Sequence, residues 1–293
     1  MNKKNPEYDV LLPIWEKSEP WFDFDEEQCQ MLIGGDPWRL GSPDRERSVH
    51  AQASSCNAVT SVHPNAMVVG GPAGTGEMTF MSIVMIFFSA TFVVMGGLML
   101  MTTGFHHLSI LSLLLLVPSL FCVSFFTRLS FFKARDIPVL FNRKSRTVTV
   151  STPRSLSFFK FWQPGIIAEM KTYSWDCIHV RSYKYMQMLG ETARESYNLA
   201  LLCADSDSPR TLKDFTYIGY VETWNDAPLW RLWEHIRRYM EEDGPPLQPG
   251  EILRTSGTGK LPEFPQHLID AAGGEALSIE EIEQLTGFDH RPW

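Results

Sequence analysis

Between Glu77 and Arg128 the chain carries no Lys, Arg, Asp or Glu. No other feature limits its possible folds as strongly. Two apolar runs fill the window: Met78–Met101 and Leu108–Phe126. Each has about the 20 residues that a helix needs to cross the hydrocarbon core of a bilayer. The second run contains thirteen Leu, Ile, Val or Phe. At roughly −0.4 kcal/mol each, these favour insertion by about 5 kcal/mol before polar corrections. Pro118 lies inside that run, a position membrane helices tolerate when neighbours satisfy the freed carbonyl. The expectation is a helical transmembrane hairpin over residues 78–127, with helices at 78–101 and 108–126.

The connector Thr102–His107 is short, so both hairpin ends lie on one side. Arg128, Lys133, Arg135, Arg143, Lys144 and Arg146 follow the second run, and the connector has no Lys or Arg. Basic flanks stay in the cytoplasm, which places both termini there. His106 and His107 in the turn read as interfacial polar residues rather than metal ligands. Gly96 and Gly97 allow close packing of the two helices. Met1–Val10 is followed by too short an apolar stretch for a cleavable signal peptide.

Outside the hairpin the chain is polar and divides into three parts. Residues 1–77 read as a cytoplasmic arm with scattered aromatics, in which Val49–Gly76 looks like a linker. Residues 128–246 read as an α+β domain. Its expected strands are Pro138–Phe141, Thr147–Ser151, Ile178–Tyr185, Tyr197–Cys203 and Phe215–Val221. An amphipathic helix follows, with Asn225 or Asp226 as its cap and Gly244-Pro245-Pro246 as its stop. The fold class expected is thus a transmembrane hairpin plus an antiparallel sheet capped by a C-terminal helix, of pleckstrin-homology-like form; the alternative is another antiparallel sheet with a helix on one face. Residues 247–293 read as an acidic tail, with a short helix starting at Ser278.

Charge is polarised along the chain. Arg128–Lys184 has eleven bases and three acids, net +8, whereas Glu241–Trp293 has eleven acids and three bases, net −8. A basic stretch beside a bilayer is drawn to anionic headgroups. Asn142, Arg143, Lys144 and Arg146, in the turn between the first two expected strands, are therefore the candidate membrane-facing contact. A net charge of −8 argues against nucleic acid as a partner.

The five cysteines are dispersed and form no CxxC, so they read as reduced thiols and not as a disulfide framework or zinc site. Gly70–Glu77 and Ser256–Leu261 lack the lysine-and-hydroxyl arrangement of a phosphate loop. Asp205 and Asp207 read as a surface turn. No catalytic residues, metal ligands or cofactor are expected, and the chain reads as a non-enzyme.

The order of segments resembles a known group. After a Pro-rich arm and a two-helix hairpin come Pro138–Val148 (PVLFNRKSRTV), Ser174–Val180 (SWDCIHV) and Trp230–Glu242 (WRLWEHIRRYMEE). Together they resemble an uncharacterised family of bacterial inner-membrane proteins often encoded beside type VI secretion toxins. The resemblance spans roughly Trp15 to Pro246 and leaves the tail unmatched. It implies an immunity protein that binds and neutralises a cognate toxin, with the lipid bilayer as its other partner. The alternative is a membrane-tethered lipid- or protein-binding scaffold unrelated to toxins.

Overall fold

The computed structural model describes residues 9–23, 35–72, 76–103, 107–131, 136–152, 169–189, 192–222, 224–254 and 263–289. Its strands are β1 (Asp36–Leu40), β2 (Val59–His63), β3 (Ala66–Val69), β4 (Val139–Asn142), β5 (Thr147–Thr152), β6 (Glu169–Ser174), β7 (Ile178–Leu189), β8 (Thr192–Ala204) and β9 (Leu212–Glu222). Its helices are α1 (Gly76–Thr103), α2 (His107–Phe131), α3 (Ala227–Glu241), α4 (Gln266–Ala271) and α5 (Ile279–Thr286). The protein is α+β, with two antiparallel sheets. One runs β2-β3-β4-β5-β6 and the other β1-β7-β8-β9.

The sheets form where alternation places β-branched and aromatic residues on one face. Met67, Val69, Val139, Phe141, Val148 and Val150 point inward from the five-stranded sheet. Ile178, Val180, Leu199, Leu201 and Ile218 do so from the other. Helix α3 fills the space between them with Leu229, Trp230, Leu232, Trp233, Ile236, Tyr239 and Met240. Trp175, on the short 3₁₀ turn before β7, stacks 5.4 Å from Trp233 and edge-on to Phe141. Burying a large side chain contributes about 1.5–3 kcal/mol, so this aromatic group is a major part of the core.

Two expected boundaries are corrected. Residues 49–76 are not a linker. The motif VTSVH-PN-AMVV makes the β2–β3 hairpin, and β3 pairs with β4 residue for residue from Ala66↔Asn142 to Val69↔Val139. The acidic tail is not a free extension either. Phe264, Leu268 and Ala272 cover Val68 and Leu140 on the outer face of the five-stranded sheet. Ile282 of α5 joins the main core. Ser278 and Glu281 form a capping box there, which satisfies the first orphan amides of the helix.

The N-terminal arm is a strap across the outer face of the four-stranded sheet. Phe22 packs with Tyr183, Ala200, Leu202 and Ala204. Trp21 lies 4.5 Å from the His179 ring.

The apolar helices α1 and α2 are inserted between β3 and β4. They pack on each other, and Gly96 sits against Leu116 and Ser112, while Gly97 faces open space. Both helices extend beyond the expected 78–101 and 108–126. His106 lies outside the described residues. Met81–Thr102 is long and apolar enough to cross a membrane and is only 11% buried. The apolar stretch of the second helix, Ser112–Arg128, is shorter.

Two predictions follow from this packing. A Cβ at Gly71 would stand 2.2 Å from the Tyr217 carbonyl oxygen, a backbone atom. Gly71→Ala should therefore lower the unfolding free energy by about 1–3 kcal/mol in chemical denaturation. The second concerns His179. Burial, with Arg45 and Arg181 nearby, pushes its imidazole from 6.5 down to about 4. The folded state then binds fewer protons than the unfolded one between these values. Stability is full above pH 6.5 and declines as pH falls towards 4. His179→Gln should flatten that part of a melting-temperature-versus-pH curve.

Candidate functional site

The most strongly constrained site lies at the root of the apolar hairpin. Its two legs meet at a Pro72↔Asp136 bridge. The Asp136 carboxylate accepts the Gly71 amide at 2.7 Å and pairs with Arg254 at 3.1 Å. Arg254 comes from the C-terminal segment, where its own amide donates to Val59 O on β2. Its guanidinium lies 4.5 Å over the Tyr220 ring. Gly70 is enclosed by the same groups: a Cβ there would stand 2.8 Å from both Asp136 oxygens. The Gly70 carbonyl accepts the Gly219 amide of β9. One carboxylate thus ties together both hairpin legs and the tail, and the adjoining Gly70 carbonyl adds the edge strand β9. Burial raises the Asp136 pKa despite Arg254 and the Gly71 and Ile137 amides, which favour the charged form.

The Asn142–Arg146 turn is far from this root. Val139 begins β4 at the hairpin end, and Asn142 closes it at the other, about 10 Å along the strand. Its side chains are also engaged. Asn142 is buried, donates to Ala271 O and accepts the Ser145 amide. Arg143 lies over the Tyr239 ring. Arg146 pairs with Glu241 at 2.9 Å and Asp176 at 3.2 Å, and its pKa is raised by the hydrogen bond with Glu241 against a smaller cost of burial. Of the residues expected as a membrane-facing contact, Asn142, Arg143 and Arg146 thus make contacts within the body. This turn locks α3 and the tail to the sheet. Lys144 remains exposed.

Three further buried charges hold loops in place. Arg181 is fully buried, pairs with Glu19 at 2.7 Å, and lies 4.5 Å from Trp15 and 5.4 Å from Trp21. Asp226 does not cap α3 through its side chain. It accepts Trp230 Nε1 at 2.7 Å and the Ser182 hydroxyl at 3.0 Å, and pairs with Arg39. Asn225 accepts the Ala227 amide in its place. Glu234 is fully buried. Burial opposes its charge, but hydrogen bonds from Arg237, the Val49 amide and Arg238 outweigh this and lower its pKa. Breaking a buried pair of this kind costs about 3–5 kcal/mol.

A groove of about 300 Å³ runs beside β6, lined by Lys171, Tyr173, Cys177, Ala204, Asp205 and Lys213 among others. Asp205 pairs with Lys213 at 2.9 Å, in keeping with the reading of a surface turn at Asp205–Asp207. Among the described residues no three metal-ligating side chains converge.

Sequence reasoning passed over Asp136, Arg254 and Arg181. Asp136 stood out only as the one acid among six bases after the second apolar run. Arg254 lies far away in sequence, and nothing local links the two.

The fold and its polar pins define an α+β protein built around an apolar helical hairpin. Residues 116–264, just over half of the chain, match a family of unknown function (DUF6708), and the chain belongs to that family. The match starts within α2 and ends at Phe264, and so leaves out β1, β2 and β3. No curated protein and no solved structure matches the chain.

If Asp136 is the joint at the root, Asp136→Ala strands the Gly71 amide and Arg254 together. It should cost about 2–4 kcal/mol of unfolding free energy in chemical denaturation. Asp136→Asn, which keeps an acceptor for Gly71, should cost clearly less.

Proposed function

We propose that this protein is a non-catalytic, membrane-anchored binding protein. In this reading α1 and α2 cross the bacterial inner membrane as an antiparallel pair, and the rest of the chain lies in the cytoplasm. The observation that carries it is the apolar surface of the hairpin. Phe87, Phe88, Val94, Leu98, Leu114 and Val117 are between 57% and 72% exposed. A core helix would bury such residues, and an exposed apolar surface of this extent marks an interaction or membrane site. At 1.5 Å per residue the 28 residues of α1 reach about 42 Å, enough for a bilayer with its headgroups. Arg128 in the last turn of α2, with Lys133 and Arg135 beyond it, supports a cytoplasmic root.

The soluble body is then a pleckstrin-homology-like unit. β3–β6 form a four-strand meander, β7–β9 a three-strand meander, and α3 packs against the inner faces of both. The hairpin occupies the first β turn. We assign to this body the capture of a protein partner. The resemblance of Pro138–Val148, Ser174–Val180 and Trp230–Glu242 to type VI-associated membrane proteins supports a cognate toxin, which makes the chain an immunity protein.

Two experiments test the two halves. An environment-sensitive probe on Phe87→Cys, in protein reconstituted in nanodiscs, should report lipid, while one on Lys144→Cys should report water. An aqueous signal at Phe87 refutes the anchor. For the partner, deleting the gene should be lethal when a neighbouring toxin gene is intact and harmless when that gene is removed. Viability in both backgrounds removes the immunity role and leaves a tethered scaffold.

A further inference from the structure

A charge set among apolar side chains is costly to bury unless a partner meets it. Arg181 is such a charge. It is fully buried on β7, between Leu40 of β1 and Ala200 of β8. Tyr183, Ala200, Leu202 and Ala204 make the outer face around it apolar. The strap supplies a carboxylate: Glu19 takes two guanidinium nitrogens, at 2.7 and 2.9 Å. Such a fork reads a carboxylate by direction as well as by charge. Trp15 and Trp21 lie over the guanidinium, and Trp21 and Phe22 rest on the His179 ring. At the rim Asp23 pairs with Arg210 at 2.6 Å. Arg, Trp and Tyr at the centre of a desolvated patch compose a binding hot spot.

The stretch Trp15–Asp23 is held mainly by these side chains. It belongs to no strand or helix. Among the described residues, only Trp15 and Asp23 of this stretch donate amides to the backbone of the body. Beneath it β7 and β8 pair without a break from Ile178↔Cys203 to Leu189↔Thr192, so its departure breaks no ladder. Val10 and Leu12 root the arm separately in the main core. The stretch, WEKSEPWFD, carries three acids and one base, which complements Arg181 and Arg210. An empty socket would leave the buried guanidinium without its carboxylate, at a cost. The stretch is therefore exchanged for a similar segment more readily than it is simply released.

We propose that the outer face of the four-stranded sheet is a binding site for an acidic, aromatic segment of a partner protein, and that Trp15–Asp23 is its internal occupant. This rests on the reading of the chain as a membrane-anchored binding protein. The resident stretch defines the chemistry of the guest. A carboxylate is followed two and three residues on by aromatic side chains, as Glu19 is by Trp21 and Phe22. The carboxylate of the guest enters the Arg181 fork, its rings cover Tyr183 and His179, and the internal stretch leaves. Competition from that stretch lowers the apparent affinity of the guest in proportion to the fraction of chains whose socket is free.

The test uses the full chain in nanodiscs and a synthetic peptide of the sequence Trp15–Asp23. The amides of Trp15, Trp21, Phe22 and Asp23 are held by Trp38 O, the Glu19 carboxylate and Arg210 O. Saturating peptide should speed their exchange in the protein several-fold and leave the β7 and β8 amides slow. A peptide with Gln in place of the Glu19 equivalent should have no effect. In the protein, Glu19→Gln loosens the internal occupant and should raise the affinity for the peptide about tenfold. The site is overturned if the peptide binds neither protein, if it binds while those amides exchange as before, or if the Gln peptide works equally well. If Glu19→Gln melts early, exchange in the wild-type chain decides alone. A stable dimer in nanodiscs that the peptide dissociates assigns the socket to a second copy and overturns the partner. A toxin that binds while the strap amides stay protected overturns this site but not the immunity role. Release of the strap by the peptide without a toxin phenotype does the reverse.

Discussion

The antiparallel pairing of β3 with β4 is the constraint on which the rest of the structure depends. These four-residue strands are buried and adjacent, yet an apolar hairpin of two long helices separates them in sequence. The chain must leave the sheet after Val69 and return to it before Val139. The ends of the hairpin are therefore held side by side. Asp136 secures that point by binding the Gly71 amide on one leg and Arg254 from the tail. Small residues are needed there for steric reasons, since Gly70 and Gly71 have no room for a side chain. The α+β body is thus not an appendage following the hairpin. It is assembled from segments on both sides of it.

Buried ion pairs do similar work elsewhere. Arg181 holds the strap through Glu19, Trp15 and Trp21, and Glu234 holds the Arg45–Val49 segment through Arg237 and the Val49 amide. Desolvating such charges is costly, so their value lies in where they direct the chain. Glu19 lies far from Arg181 in sequence, and the Val49 amide far from Glu234, so each contact turns an otherwise weakly patterned segment into a fixed layer of the body. The strap bonds to the edge of β1, the C-terminal segment to that of β2, and Gly70 to that of β9.

Several elements could be read from local pattern. The cores of β4, β5, β7, β8 and β9 follow from alternating apolar residues, and α3 follows from its apolar stripe and terminal Gly-Pro-Pro. The ends of β7 and β8 were underestimated because Met186–Arg194 loses alternation once it extends past the core. β2 and β3 were hidden by composition: Val49–Gly76 is rich in small residues, but Val59, Val62, Met67 and Val69 sit at inward positions around a Pro64-Asn65 turn. β6 carries too few apolar residues to announce a strand, because it lies at an edge. The contacts of the basic turn at Asn142–Arg146 were not legible for a different reason. Closeness in sequence to the hairpin suggested closeness in space, whereas β4 carries the turn to the opposite end of the sheet.

The sequence by itself determined the uncharged apolar window with its two long helices, the α+β character of the body, and the asymmetry of charge along the chain. These depend on short-range periodicity and composition, which a linear reading captures. Only the tertiary structure decided that the hairpin is an insertion in a sheet, that the arm and tail are layers of the body, and that Asp136, Arg181 and Glu234 are its joints. Those outcomes depend on pairing between residues far apart in the chain. Hydrogen bonds and ion pairs of that kind leave no local trace, because each partner taken alone looks like an ordinary polar residue.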